Sequence, residues 1–152
     1  TLDAPLTFAH GGTEPVAAEV ASLSRNIAIV GAPGCARRAP KPRCGHVIIS
    51  HTPHGVVCGV ELSNLGAHTT LGKYPLHAHM CGNASALAFA ANAIHETHHR
   101  SLVVHSTSDA LFAHNVAYDG TGHMYVLENG LEQCIDQIVA ARDAIDATRL
   151  TV

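Results

Sequence analysis

Thirteen histidines outnumber the nine lysines and arginines of this 152-residue chain, and their spacing points to chemistry. Four strings share one pattern: His46-Val47-Ile48-Ile49-Ser50-His51, Tyr74-Pro75-Leu76-His77-Ala78-His79, Arg100-Ser101-Leu102-Val103-Val104-His105 and His123-Met124-Tyr125-Val126-Leu127-Glu128. Their last positions form the column His51, His79, His105, Glu128, and their first positions the column His46, Tyr74, Arg100, His123. Neutral imidazoles and a carboxylate are the usual ligands of zinc or iron(II). They are equally an acid–base set, because imidazole titrates near neutral pH. His79, His105 and Glu128 are therefore the candidate metal-binding or catalytic residues. Arg100, His123, Asp119 and Glu96 are the flanking shell. A guanidinium such as that of Arg100 can grip a sugar carboxylate through two hydrogen bonds. Glu96, Asp119 and Glu128 supply carboxylates of the kind a glycosidase uses in pairs. The competing reading is a packing ladder of like residues. His10, His54, His68, His98, His99 and His114 read as single structural histidines.

The elements that position these residues follow from an internal repeat. A shift of 23 residues lays Ala88-Phe89-Ala90-Ala91-Asn92-Ala93-Ile94-His95-Glu96 over Leu111-Phe112-Ala113-His114-Asn115-Val116-Ala117-Tyr118-Asp119. The earlier strings extend it to a period of about 23 to 28 residues, with short β-like runs between turn residues. Such a unit cannot bury its apolar face alone and must stack on its neighbours, which is the logic of a parallel β-helix. Ile48, Leu76, Leu102 and Tyr125 form one apolar column, and Ser50, Ala78, Val104 and Leu127 the next. Strand periodicity of two points both inward and sends the His/Glu column outward. Stacked coils then bring equivalent residues to about 4.8 Å of each other. Asn92 and Asn115 recur at a turn, where an amide side chain can bond backbone and stack as a ladder. Asn64 and Asn26 read as echoes of them. Ser85 to Glu96 would be helical by its alanine content alone, but the superposition overrides that. From Leu131 onward, Ile135, Ile138, Val139, Arg142 and Ile145 follow helical spacing. The expected organisation is thus all-β coils over residues 1–132, a loop insertion at 31–44, and an amphipathic tail helix at 133–152 covering an open coil end.

Composition removes several function classes. Charged residues are 14 % and the net charge is −3, which gives no basic face for nucleic acid or an anionic membrane. No apolar run reaches the ~18 residues of a membrane span. The chain begins at Thr1 without a leader segment and reads as a mature form or a piece of a longer protein. Five cysteines include Cys35 and Cys44, which bracket a basic, proline-rich loop. A disulfide closing it suits an oxidising compartment, and two free thiols suit a reducing one. The sequon Asn83-Ala84-Ser85 favours the secretory pathway.

The strings resemble, in ordered succession, the β-helix region of the cell-migration-inducing hyaluronan-degrading and fibrocystin-like proteins. They are Leu71-Gly72-Lys73-Tyr74-Pro75-Leu76-His77-Ala78-His79-Met80-Cys81-Gly82, Asn92-Ala93-Ile94-His95, Arg100-Ser101-Leu102-Val103-Val104-His105-Ser106-Thr107, Asn115-Val116-Ala117-Tyr118-Asp119, and Gly122 through Glu132. Upstream, Arg25-Asn26-Ile27-Ala28-Ile29, Gly45-His46 and Val60-Glu61-Leu62-Ser63-Asn64-Leu65-Gly66 continue it. The resemblance implies a right-handed, pectate-lyase-like parallel β-helix, an extracellular or cell-surface location, flanking domains in the parent chain, and a polysaccharide partner. For its hyaluronan-degrading members it implies calcium-dependent depolymerisation. Departures are present. The family's Leu-Glu-Asp-Gly reads Leu127-Glu128-Asn129-Gly130, one carboxylate fewer, and the coil pattern stops after Glu132. The expected function is binding and hydrolytic cleavage of a hyaluronan-like glycan. The alternative is a non-catalytic adhesion or receptor module with a structural His ladder, since fold does not carry activity by itself.

Overall fold

The structure is a computed structural model that describes residues 4, 5, 7, 12, 13, 16, 17, 21–35 and 44–129. Two short strands, β1 (Gly12–Thr13) and β2 (Val16–Ala17), pair antiparallel. Every later pairing is parallel. The chain winds repeatedly through three sheets. Sheet I stacks β4 (Val47–Ser50), β7 (Leu76–Asn83), β10 (Leu102–Ser108) and β13 (Tyr125–Leu127). Sheet II stacks β5 (His54–Cys58), β8 (Ala86–Ala90) and β11 (Leu111–Ala113). Sheet III stacks β3 (Ile27–Val30), β6 (Val60–Ser63), β9 (Ala93–His95) and β12 (Val116–Tyr118). This is a parallel β-helix with three strands per coil. The expected tail helix lies outside the described residues, as does the middle of the 31–44 loop. No helix among the described residues is long and apolar enough to cross a membrane.

The core is the inside of the coil stack. Leu76 and Ala78, Leu102 and Val104, Leu87 and Phe89, Leu62 and Ile94 all pack there. Phe112 meets Phe89 edge to face at 5.4 Å between centroids. The repeat offset narrows along the chain, from 32 residues between Val60 and Asn92 to 23 between Asn92 and Asn115. The surplus of the earlier coil is spent outside the stack, in a loop between β6 and β7.

Two asparagines hold the turn between sheets II and III. Asn115 Nδ2 donates to the Phe89 carbonyl at 2.8 Å, and its Oδ1 accepts from Asn92 Nδ2 at 2.9 Å. Asn92 Nδ2 also donates to the Val57 carbonyl, and Asn92 Oδ1 accepts from Val60 N–H at 3.0 Å. Both residues are buried, so the ladder satisfies backbone groups that water cannot reach. It ends at Asn92. Glu61 pairs with Ala93 and Ile27 with Val60, so the residues level with Asn92 in the preceding coils are Val60 and Ile27. Asn64 and Asn26 are not echoes of it. Asn64 sits in a different corner with φ 55° and donates to the Gly31 and Ala32 carbonyls.

Corners are made by residues in left-handed backbone conformation. His51 follows β4, Met80 and Ser106 bend β7 and β10 where their register shifts, Ala91 and His114 follow sheet II, and Asn64, Glu96 and Asp119 follow sheet III, all with φ between 46° and 55°. A residue with a Cβ gives up roughly 1–2 kcal/mol in this region. The level of Ala91 is taken by Gly59 (φ 64°) in the coil before it. Ala91→Gly is therefore expected to raise stability by about 0.5–1 kcal/mol, after the added freedom of glycine in the unfolded chain is subtracted. A urea denaturation curve with an unchanged slope checks this.

One register differs from the sequence expectation. Val47, not Ile48, pairs with Leu76, and Ser50, not His51, pairs with His79. Val47 and Ile49 accordingly pack on the core and Ile48 is exposed. The reason is a shift of one residue, which in a strand exchanges the two faces.

Candidate active site on the outer face of sheet I

The outer face of sheet I holds the candidates His79, His105, Glu128 and Arg100. Leu102 pairs with Leu76 and with Tyr125, so β7, β10 and β13 keep the expected register. His79 and His105 stand directly opposite each other. Glu128 follows β13 at the same level, its N–H bonded to the Val104 carbonyl at 2.9 Å. Nδ1 of His79 and Nδ1 of His105 are 2.9 Å apart, and His105 Nδ1 is 3.7 Å from Glu128 Oε2. The other oxygen of Glu128 accepts from Tyr74 O–H at 2.8 Å and from Arg100 Nη1 at 2.9 Å. Arg100 also lies over the Tyr74 ring, 5.7 Å from its centroid. The carboxylate is thus gripped by a guanidinium and a phenol in a half-buried setting, where charge-assisted hydrogen bonds are strong. Burial raises the Tyr74 phenol, so it remains a donor at neutral pH.

A loop from the preceding coil walls this face. Between Leu65 and Pro75 the chain closes a turn through Ala67 N–H to Lys73 O and Thr70 N–H to Ala67 O. It delivers Tyr74 and the Gly72 carbonyl onto β7. Tyr74 meets the His77 and His99 rings edge-on, both at 4.9 Å. Arg100 is set from the other side by the turn before β13. A Cβ on Gly122 would come within 2.7 Å of Arg100 N, so that turn lies hard against the backbone carrying the guanidinium.

His77 belongs to this face and was not among the sequence candidates. It is fully buried although its strand parity points outward. Its Nδ1 lies 3.0 Å from the Gly72 carbonyl, and its Nε2 is buried without a hydrogen-bond partner. A carbonyl only accepts, so Nδ1 carries the proton and Nε2 the lone pair. Burial pushes His77 down to about 4, against the opposing pull of the Gly72 bond. Burial, then His105 and His51, also lowers His79. One ring nitrogen from each of His77, His79 and His105 lies within 4.8 Å of the others. The available sequence signal was His77-Ala78-His79, two imidazoles two apart and so on one side of a strand.

The remaining candidates fall elsewhere. His51, one position beyond the expected column, keeps its ring 5.8 Å from that of His79 and its Nδ1 at 2.6 Å from Ser50 Oγ. His46 and His123 are exposed. Glu96 and Asp119 form the corner after sheet III, not the face of sheet I. Near them His95 Nε2 meets Glu61 Oε1 at 3.3 Å and His95 Nδ1 meets Glu96 Oε2 at 3.7 Å. Glu61 accepts in addition from Arg25 N–H at 3.2 Å. Of the three candidate carboxylates, Glu96 and Asp119 thus lie level in adjacent coils at the sheet III corner, and Glu128 is the one carboxylate among the described residues of the sheet I cluster. Calcium, which takes 6 to 8 oxygen ligands, does not fit three imidazoles and one occupied carboxylate. Asn83 is exposed, and its amide donates to Asp109 Oδ2 at 2.5 Å. Cys35 and Cys44 are both buried, free thiols. Burial, reinforced by the Cys35 thiol beside it, pushes Cys44 up to about 12.

Comparison with known proteins agrees with this architecture. Residues 43–139 match the family described as CEMIP beta-helix. A G8 domain-containing protein of Dictyostelium discoideum is 34 % identical over 128 residues, covering 84 % of this chain and 11 % of the relative. A zebrafish (Danio rerio) protein named cell surface hyaluronidase is 32 % identical over 132 residues, covering 76 % of this chain and 10 % of the relative. The chain thus spans about a tenth of the length of these relatives. With its family match, its parallel coils and its ordered strings in agreement, the chain belongs to the CEMIP beta-helix family.

Proposed function

We propose that this chain is the working segment of an extracellular or cell-surface β-helix that binds a hyaluronan-like polysaccharide and hydrolyses its glycosidic bonds. The observation that carries the reading is the convergence of His79, His105, Glu128, Arg100 and Tyr74 on one half-buried face. The zebrafish relative's name, cell surface hyaluronidase, supports the substrate class and the location. Glu128, already accepting from Tyr74 and Arg100, serves as an acceptor that orients a sugar hydroxyl or a neighbouring imidazole. The proton transfers fall to the imidazoles, since the face lacks the second carboxylate of an ordinary glycosidase pair. Arg100 sets the charge of the groove floor and is the cation nearest an approaching sugar carboxylate.

One observation favours a second reading, a non-catalytic adhesion module: Glu128 already has two donors in place. The two separate in one experiment. The intact protein is incubated with hyaluronan of defined length, and polymer size and binding are followed together. Under the hydrolase reading the polymer shortens, His105→Ala slows it by about 100-fold or more, the scale of a lost acid–base group, and Glu128→Gln slows it by a smaller factor, as the loss of an orienting acceptor. Glu61→Gln, on sheet III, leaves the rate unchanged. Binding without shortening would overturn the hydrolase reading and select the adhesion module.

A further inference from the structure

We propose that His77, His79 and His105 together hold one divalent transition-metal ion of the zinc class on the outer face of sheet I, with a coordination position left open. The ligand set is built by the fold. Strand β7 presents His77 and His79 on one side, and β10 sets His105 opposite His79. A ring nitrogen of each lies within 4.8 Å of the other two.

His77 is the residue that distinguishes a metal site from a ladder. Its proton is committed to Gly72 O at 3.0 Å, and its other nitrogen is a buried lone pair with no partner. An unsatisfied buried acceptor costs about 1–3 kcal/mol, so a packing role gives no reason to keep one. A carbonyl that fixes the tautomer while the far nitrogen binds metal is the usual outer-shell arrangement for histidine ligands. The facing Nδ1 atoms of His79 and His105 fit the same assignment. At 2.9 Å, with nothing between them, one must carry a proton toward the other. Two neutral rings can instead both offer lone pairs to a single cation. Three imidazoles suit zinc, iron(II) or copper rather than magnesium or calcium. Three protein ligands with an open position are the pattern of catalytic rather than structural zinc sites. Glu128, 3.7 Å from His105 Nδ1, places its negative charge beside the ion.

This deepens the reading of the groove as the reactive face and rests on it only for the ion's role in catalysis. The binding itself is measured without glycan. The intact protein, purified without immobilised nickel and stripped with EDTA, is titrated with Zn2+ by calorimetry and with Co2+ by visible absorption. One equivalent is expected, with the intense visible bands of tetrahedral cobalt. His77→Phe and His105→Asn are each expected to weaken binding by about 100-fold or more, at or beyond the upper end of what losing an outer-shell partner does. His54→Ala, on sheet II, is expected to leave it unchanged. If His77→Phe fails to fold, the half-buried His105 carries the test. No saturable binding in the wild-type protein, or binding undiminished in the folded variants, would overturn the site. Metal binding without polymer cleavage sinks only the hydrolase reading. Cleavage that persists without saturable metal binding sinks only this one.

Discussion

Asn92→Leu is expected to destabilise the chain by about 3–5 kcal/mol, enough to unfold a domain of ordinary stability at moderate temperature. Leucine has the same branched shape and is the larger side chain, so the loss is not a cavity effect. It comes from three buried groups left without their partner: Val60 N–H, the Val57 carbonyl and the Asn115 side-chain oxygen. Each carries a penalty of about 1–3 kcal/mol, partly relieved for Asn115 because Asn92 N–H still reaches its Oδ1 at 3.1 Å. Asn115→Leu should behave similarly, since it orphans the Phe89 carbonyl and the Asn92 amide. The double variant should fall well short of the sum, because the two residues belong to one network. Chemical denaturation of the four proteins measures this directly, and full additivity would refute the coupled ladder.

The metal-free protein is expected to lose stability steeply as pH falls from about 7 to about 4. His77, His79 and His99 all lie below the ordinary imidazole value of 6.5. Burial is the leading cause in each case, with Arg100 and His68 adding to it at His99. Below pH 6.5 the unfolded chain takes up protons that the folded chain refuses. Stability contributed by these groups is thus complete above 6.5 and is withdrawn as pH falls through that window. For His77, between 6.5 and about 4, this amounts to roughly 3 kcal/mol. The groups facing it pull in both directions. His79 and His105 oppose its protonation, and Glu128 and the Gly72 carbonyl favour it. Urea midpoints recorded from pH 7.5 to 4 should fall monotonically, and His77→Phe should flatten the profile. A flat wild-type profile would show that the ring is not held away from water.

The sequence made much of this visible, and its failures have specific causes. The registers of β7, β10 and β13, and of β8, β9, β11 and β12, were legible because each string has an apolar residue at alternate positions and a neighbour of nearly equal length. The same alignment put His79, His105 and Glu128 at one level. In β4, by contrast, Val47, Ile48 and Ile49 are apolar in succession, so parity is degenerate there. A histidine at each end of the string, His46 and His51, then imitated the next coil one residue out of step. His77 escaped because no histidine recurs at its level in the neighbouring coils. Its level is Val103 in the next coil, and its role depends on a loop carbonyl that no repeat contains. The three carboxylates were grouped together although Glu128 lies on sheet I and Glu96 and Asp119 at the corner after sheet III, a separation that a linear alignment does not show.

The loop between β6 and β7 has a consequence for how such a protein can change. The base of the loop joins the stack, where Leu65 packs in the core and its carbonyl accepts from His98 N–H, but its tip, residues 68–71, is exposed and adds nothing to coil stacking. Doubling the length of a flexible loop adds only about 0.6 kcal/mol of closure entropy. This excursion can therefore lengthen, shorten or exchange its sequence with little effect on the solenoid that bears it. Yet it delivers Tyr74 and the Gly72 carbonyl, and with them the seat of Glu128 and the tautomer of His77. Activity in this architecture can be gained, retuned or silenced by edits that folding barely registers, so relatives with superimposable coils need not share a reaction.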